Sequence, residues 1–189
     1  MPALVTPTVD VHASFLVSAQ EYLDEGRRQP YDHASPDRDL AAQVERWRTP
    51  DGFADYVAHL VADAVEDETR PPGIVPSTTL WWVDGSEYLG RIQVRHRLST
   101  WLREWGGHVG YDVRPSARRR GHATAMLAAA LPVAHRLGLD PVLVTCDEPN
   151  VASRRVIEAN GGVLEDVRTA PGVPPKLRFW VPTSPPGAR

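Results

Sequence analysis

The hydrophobic pattern of this chain changes period once, and that change limits the fold more than any single residue does. Up to Val65 the apolar residues recur every three or four positions. Phe15, Leu16, Ala19 and Leu23 share one helical face, with Gly26 as its stop. Gln43 to Trp47 fits a second short helix, and Phe53, Val57, Leu60, Val61 and Val65 share the face of a third that opens at Asp51-Gly52. Leu4-Val5, ended by Thr6-Pro7, reads as a short first strand. Then comes a polar, largely acidic stretch, Glu66 to Pro72, and from Thr78 the apolar runs are short and strand-like.

The second half can be laid out in order. Thr79-Leu80-Trp81-Trp82-Val83 and Tyr88 to His96 form a hairpin across the turn signal Asp84-Gly85. His108 to Val113 is the next strand, with Val109, Tyr111 and Val113 on one face. An alanine-rich helix from His122 to Leu137 follows, closed by Gly138 and carrying Pro132, which predicts a bend near Ala128. Val142 to Cys146 is a short buried strand, and Ala152 to Ala159 a helix ending at Asn160-Gly161-Gly162. Val163 to Val167 and Leu177 to Val181 close the chain as two strands joined by a proline-rich loop. The expectation is a mixed α/β (α+β) fold: one domain over residues 1–181, with 182–189 as a flexible tail.

Composition narrows the function. The 189 residues are 42% hydrophobic, enough for one full core. A net charge of −3 gives no general attraction to nucleic acid or anionic membrane. No apolar run approaches the roughly 18 residues of a membrane span, and Met1-Pro2-Ala3-Leu4 lacks the regions of a secretory signal, so a cytoplasmic protein is expected. The single cysteine, Cys146, excludes an internal disulfide and a multi-cysteine metal site.

Chemistry concentrates at one strand-to-helix junction, Val113-Arg114-Pro115-Ser116-Ala117-Arg118-Arg119-Arg120-Gly121-His122-Ala123-Thr124. A helix N-terminus leaves about four backbone N–H groups unpaired and carries roughly half a positive charge, which suits a pyrophosphate. The neighbouring arginines can neutralise further phosphate charge. The segment is neither a Walker loop nor a GxGxxG turn. Taken alone, a run of three arginines is better explained as a solvated surface patch than as a ligand site.

The same segment matches the pattern (Gln/Arg)-x-x-Gly-x-(Gly/Ala), with Arg118, Gly121 and Ala123 at its defining positions, and it resembles the pyrophosphate turn of the GNAT N-acetyltransferase superfamily. A second motif of that family is matched by Asn150-x-x-Ser153, continuing through Val156-Ile157-Glu158 to Asn160-Gly161-Gly162. The resemblance covers about residues 75 to 181. Val75-Pro76-Ser77-Thr78-Thr79, Arg95-His96 and Gly106-Gly107-His108-Val109-Gly110-Tyr111 are similar to stretches of a subgroup of predicted bacterial acetyltransferases.

The resemblance implies a mostly antiparallel sheet flanked by helices, with a splayed strand pair that admits the pantetheine arm of acetyl-coenzyme A. The backbone of Tyr111 and Val113 would bond that arm, and Asn150 would reach it from the far side, or simply cap its own helix. Arg118, Arg119, Arg120, Gly121, His122, Ala123 and Thr124 would hold the pyrophosphate through their N–H groups, with Arg114, Arg119 or Arg120 also reaching phosphate oxygens. The helices of residues 10–65 would form the acceptor side, where Asp32, His33, Glu45, Asp55 and Tyr56 are candidate contacts or simply solvated surface; Trp81, Trp82, Trp101 and Trp105 are candidate pocket liners or core and strand residues, core being the better reading of Trp81 and Trp82. Homodimers are common in the family, though nothing here specifies an interface.

An attacking amine must be neutral, so a general base is expected. His108 is the first candidate, followed by His96, Asp147 and Glu148; Asp112 points away from Tyr111 by alternation. The family's usual tyrosine, four residues after the motif serine, is replaced by Ile157, which leaves Ser153, Tyr111 or solvent to protonate the departing thiolate. An acyl-cysteine route through Cys146 lacks an activating partner. The function expected is N-acetyl transfer from acetyl-coenzyme A, without a metal, to a small-molecule or peptide amine in a ternary complex. The alternatives are a protein N-terminal or lysine acetyltransferase, a non-catalytic acyl-coenzyme A sensor and, last, a nucleic-acid binder.

Overall fold

The structure is a computed structural model and describes residues 1–27 and 39–184. Seven strands form one sheet in the order β1-β2-β3-β4-β5-β7-β6. They are β1 (Ala3–Val5), β2 (Ser77–Asp84), β3 (Glu87–Arg95), β4 (Val109–Val113), β5 (Val142–Asp147), β6 (Val163–Ala170) and β7 (Val173–Val181). Helices α1 (His12–Asp24), α2 (Leu40–Trp47) and α3 (Pro50–Ala62) cover one face; α4 (His122–Arg136) and α5 (Val151–Ala159) cover the other. Every strand pair is antiparallel except β4 with β5.

The period change read from the sequence is the division between these layers. Adjacent strand residues point to opposite faces, so Trp81 packs with Phe15, Phe53 and Tyr88 beneath the N-terminal helices, while Trp82 joins Ile92, Val94 and Met126 beneath α4. Both tryptophans are therefore core. One expectation needs amendment. The last two strands are joined by a tight turn at Pro171-Gly172, with Gly172 at φ 78°, and Pro174 and Pro175 lie inside β7. They fit there because the β6–β7 register shifts between Arg168 and Ala170, so no ladder N–H is required of them. Helix α4 is continuous through Pro132; the carbonyl that proline cannot bond belongs to the exposed Ala128.

The β4–β5 pair places the site. These neighbours are in register at a single position, Val109 with Val144, and then part. At the closed end the His108 N–H donates to the Leu143 carbonyl (2.7 Å), and Gly107 sits against that carbonyl with φ 68°. A Cβ on Gly107 would lie 2.6 Å from the Leu143 oxygen, in a conformation L residues avoid. Gly107→Ala is expected to destabilise the fold by roughly 2–4 kcal/mol, read as a lower denaturation midpoint. A wild-type midpoint would mean that the vertex yields freely.

Candidate active site

The β3–β4 register fixes which way the backbone of β4 faces. The Arg95 N–H donates to the His108 carbonyl (2.8 Å) and the Arg114 N–H to the Leu89 carbonyl (2.9 Å). By alternation, Gly110 and Asp112 direct their backbone groups at β3, while Tyr111 and Val113 direct theirs at the opening beside β5. The Val113 carbonyl already accepts from Arg118 Nε (3.1 Å), which leaves Tyr111 as the residue offering both groups.

The opening leads to the N-terminus of α4. Gly121, at φ 81°, is the N-cap and makes no side-chain cap, and the first helical bond runs from the Ala125 N–H to the Gly121 carbonyl. The N–H groups of His122, Ala123 and Thr124 thus have no partner within the helix. Arg119 is the only non-glycine residue with positive φ (67°) among the described residues. Its side chain and that of Arg120 are exposed at the mouth of this turn. The His122 ring is anchored from the core, its Nδ1 accepting from Trp82 Nε1 at 3.3 Å.

Arg114 and Arg118 are occupied elsewhere. Arg114 is only 6% exposed, and its guanidinium is bound by the Glu21 carboxylate, the Tyr88 carbonyl and Ser14 Oγ. Reaching a phosphate would strip a buried ion pair, so the expected phosphate role of Arg114 is withdrawn. Arg118 pairs with Glu25 at 2.8 Å and lies over the Tyr22 ring. Sequence reading missed these α1 partners because they lie 93 residues from the arginines they hold.

On the far side of the opening, Asn150 caps α5 by accepting from the Ser153 N–H at 3.0 Å. Ser153 Oγ meets the Tyr111 hydroxyl at 2.8 Å, joining β4 to the first turn of α5 across the parted strands. Burial, opposed by the Ser153 hydrogen bond, pushes the Tyr111 phenol up to about 12, so it stays a proton donor at any working pH. Ile157 is fully buried beneath Gly162, which explains why that position does not present a polar group to the opening. Cys146 is also buried and its thiol is pushed up by burial, which keeps it protonated.

The histidine and aspartate candidates for the base are structurally engaged. His108 Nδ1 accepts from the Leu143 N–H at 2.8 Å, so the ring proton is on Nε2 and its one lone pair serves the backbone of β5. Burial, then the charges of Arg103 and Arg95, lower its pKa to about 4. His108 therefore closes the vertex and has no lone pair to accept a substrate proton. Asp147 is bound by Lys176 Nζ at 2.5 Å. His96 bonds Thr78 Oγ1 (2.8 Å) and Asp112 pairs with Arg27 (3.2 Å), pointing away from Tyr111 as alternation requires.

Among the acceptor-side candidates, Tyr56 packs at a tilt within an aromatic cluster with Phe15, Trp47 and Phe53, and Glu45 pairs with Arg48. Asp55 and Trp101 are exposed. Asp32 and His33 lie outside the described residues. No group of His, Cys, Asp and Glu suited to a metal ion occurs among the described residues, and none of their helices is long and apolar enough to cross a membrane.

Comparison with known proteins bears on this geometry. Residues 22–163 match the family model described as an acetyltransferase (GNAT) domain. No curated protein sequence gives a significant match. Among solved structures, RimJ of Mycobacterium smegmatis in complex with CoA-disulfide is similar with a TM-score of 0.67 at 18% identity, over 96% of this chain and 81% of that one. The ribosomal-protein-S5-alanine acetyltransferase of Vibrio fischeri gives 0.65 at 12% identity, over 96% and 93%. The microcin C7 self-immunity acetyltransferase MccE, in complex with acetyl-CoA and AMP, gives 0.62 at 10% identity, over 96% and 92%. At such identities these likenesses speak for the fold.

Proposed function

The chain belongs to the GNAT acetyltransferase family, and from that premise we propose that it transfers the acetyl group of acetyl-coenzyme A to a primary amine of a small molecule or peptide, by direct attack in a ternary complex. The observation that carries the reading is the strand pair that parts after Val109 and Val144 and opens onto the unbonded amides of α4. Acetyl-coenzyme A, when bound, supplies an activated thioester. The N–H groups of His122, Ala123 and Thr124, with the side chains of Arg119 and Arg120, would hold its pyrophosphate. The Tyr111 backbone would pair with the pantetheine arm as an added strand does.

The Tyr111–Ser153 hydroxyl pair is proposed to hydrogen-bond the departing sulfur in place of the missing tyrosine. With His108 and Asp147 engaged, the ammonium proton of the acceptor leaves through water or through Glu148, exposed just beyond β5. The non-catalytic sensor gains support from Ile157 and loses it from the hydroxyl pair. A ribosomal-protein or other protein N-terminus as acceptor draws its support from the substrates named for structurally similar enzymes.

Isothermal titration with acetyl-coenzyme A, followed by thiol release across an amine library, tests the proposal. Binding with release for one amine class supports it, and binding without any release favours the sensor. Arg119→Gly and Arg120→Ala are each expected to weaken binding roughly tenfold, the scale of one exposed charge-assisted contact. Glycine at 119 also relieves the left-handed backbone, so a loss there is the side chain's. Unchanged affinity in both variants would remove the arginines from the cradle.

A further inference from the structure

The loop that precedes the α4 amides is held by a residue of a different layer. Glu21, in the last turns of α1, accepts from the Ser116 N–H (3.0 Å), from Ser116 Oγ (2.8 Å) and from Arg114 Nε (3.4 Å) and Nη2. Arg114 in turn is tied to β3 by the Tyr88 carbonyl (3.3 Å), and its own N–H donates to the Leu89 carbonyl (2.9 Å). Burial disfavours the Glu21 charge, yet the bonds from Arg114 and Ser116 outweigh it and hold the carboxyl below its ordinary range. The carboxylate is thus fixed at both ends, on α1 and on the turn Pro115–Ala117.

That turn needs such an anchor. Only a few residues separate the end of β4 from the amides of α4, and one of them, Arg119, sits in the left-handed region with no glycine to ease it. Pro115 can donate no N–H, and α4 lacks a side-chain N-cap. The turn itself closes through the Ala117 N–H to the Arg114 carbonyl (3.0 Å) and the Arg118 N–H to the Pro115 carbonyl (3.3 Å), but these bonds are local and tie it to no other element. The two bonds from Ser116 to one carboxylate join it to α1.

We propose that Glu21 is a positioning residue for phosphate recognition: by fixing Ser116 and Arg114 it sets the β4–α4 turn in the conformation that aims the α4 amides at the pyrophosphate. The proposal rests on the coenzyme A reading above. It accounts for a carboxylate placed under a turn meant for anions, since the buried Arg114 neutralises it and leaves the exposed Arg119 and Arg120 for the ligand. Preorganised donors bind more tightly than donors that must be ordered on binding.

The test compares wild type, Glu21→Gln and Glu21→Ala by titration with coenzyme A, with pantetheine as a probe that lacks the phosphates, and by amide hydrogen exchange over residues 115–124. Glu21→Ala is expected to weaken coenzyme A roughly tenfold, with pantetheine affinity unchanged and exchange in the turn faster. Glu21→Gln keeps an acceptor for Ser116 and recovers part of the loss; it also carries the test should the alanine variant fail to fold. Equal weakening of both ligands, or an unchanged coenzyme A constant beside a lowered melting temperature, would make Glu21 merely structural and overturn the proposal. Should wild type not bind coenzyme A, the functional reading falls on that result, while unaltered exchange in the turn would sink the Glu21 assignment separately.

Discussion

Tyr111→Phe is expected to cut turnover about a hundredfold and to leave the dissociation constant for coenzyme A within about threefold of wild type. The argument starts from proton affinities. The phenol, pushed to about 12 by burial, is a weaker acid than a thiol with an ordinary pKa near 8.5. Complete transfer from tyrosine to the departing thiolate is therefore uphill by roughly 3.5 pKa units. The useful action of the hydroxyl is to donate a hydrogen bond as charge grows on sulfur. Ser153 Oγ, 2.8 Å from the phenol, either relays that bond or makes it while Tyr111 orients it.

Both arrangements make the two hydroxyls one unit. Ser153→Ala should then cost about as much as Tyr111→Phe, and the double variant little more than either. Steady-state kinetics of thiol release, with the amine found by screening, reads this directly. Strictly additive losses would mean that the hydroxyls act separately. Wild-type turnover in both single variants would hand the leaving group to solvent.

How far the fold could be read in advance depends on whether a feature is local. The turn at Gly121, the cap at Asn150 and the hairpin at Asp84-Gly85 follow from neighbouring residues, and each falls where the residue pattern places it. Trp81 and Trp82 also follow, once both faces of the sheet are known to be covered. Charge partners do not. Nothing near Arg114 reveals that Glu21 will bury it, so a reading of the junction alone counts Arg114 with the phosphate ligands. The proline-rich connection before Leu177 misleads for a related reason. Pro174 and Pro175 look like loop until the register shift opposite them is known. The Tyr111–Ser153 contact lies between these cases. Each residue was a separate candidate for the thiolate's proton, but only the parting of β4 and β5 brings them together.

His108 sharpens the distinction between a residue that looks catalytic and one that holds the site closed. Its ring accepts the Leu143 N–H, and burial, reinforced by the charges of Arg103 and Arg95, holds its pKa at about 4 against an ordinary 6.5. The folded protein thus binds this proton less tightly than the unfolded chain does. The stabilisation is complete above pH 6.5 and is lost as pH falls through 6.5 toward 4. A shift from about 6.5 to about 4 corresponds to roughly 3 kcal/mol, an order-of-magnitude figure that is a large part of a typical domain's stability. Chemical denaturation at intervals between pH 8 and 4 should show this decline in wild type. His108→Asn offers a carbonyl oxygen in place of Nδ1 and cannot titrate, so its stability should vary less across that window. His108→Ala leaves a buried N–H unpaired and should be less stable by about 1–3 kcal/mol at every pH above 6.5. Neither variant should remove the acidic limb of the pH–rate profile. A His108→Asn protein that folds as wild type but loses turnover together with that limb would return His108 to the role of base and require the Leu143 bond to break in the working enzyme.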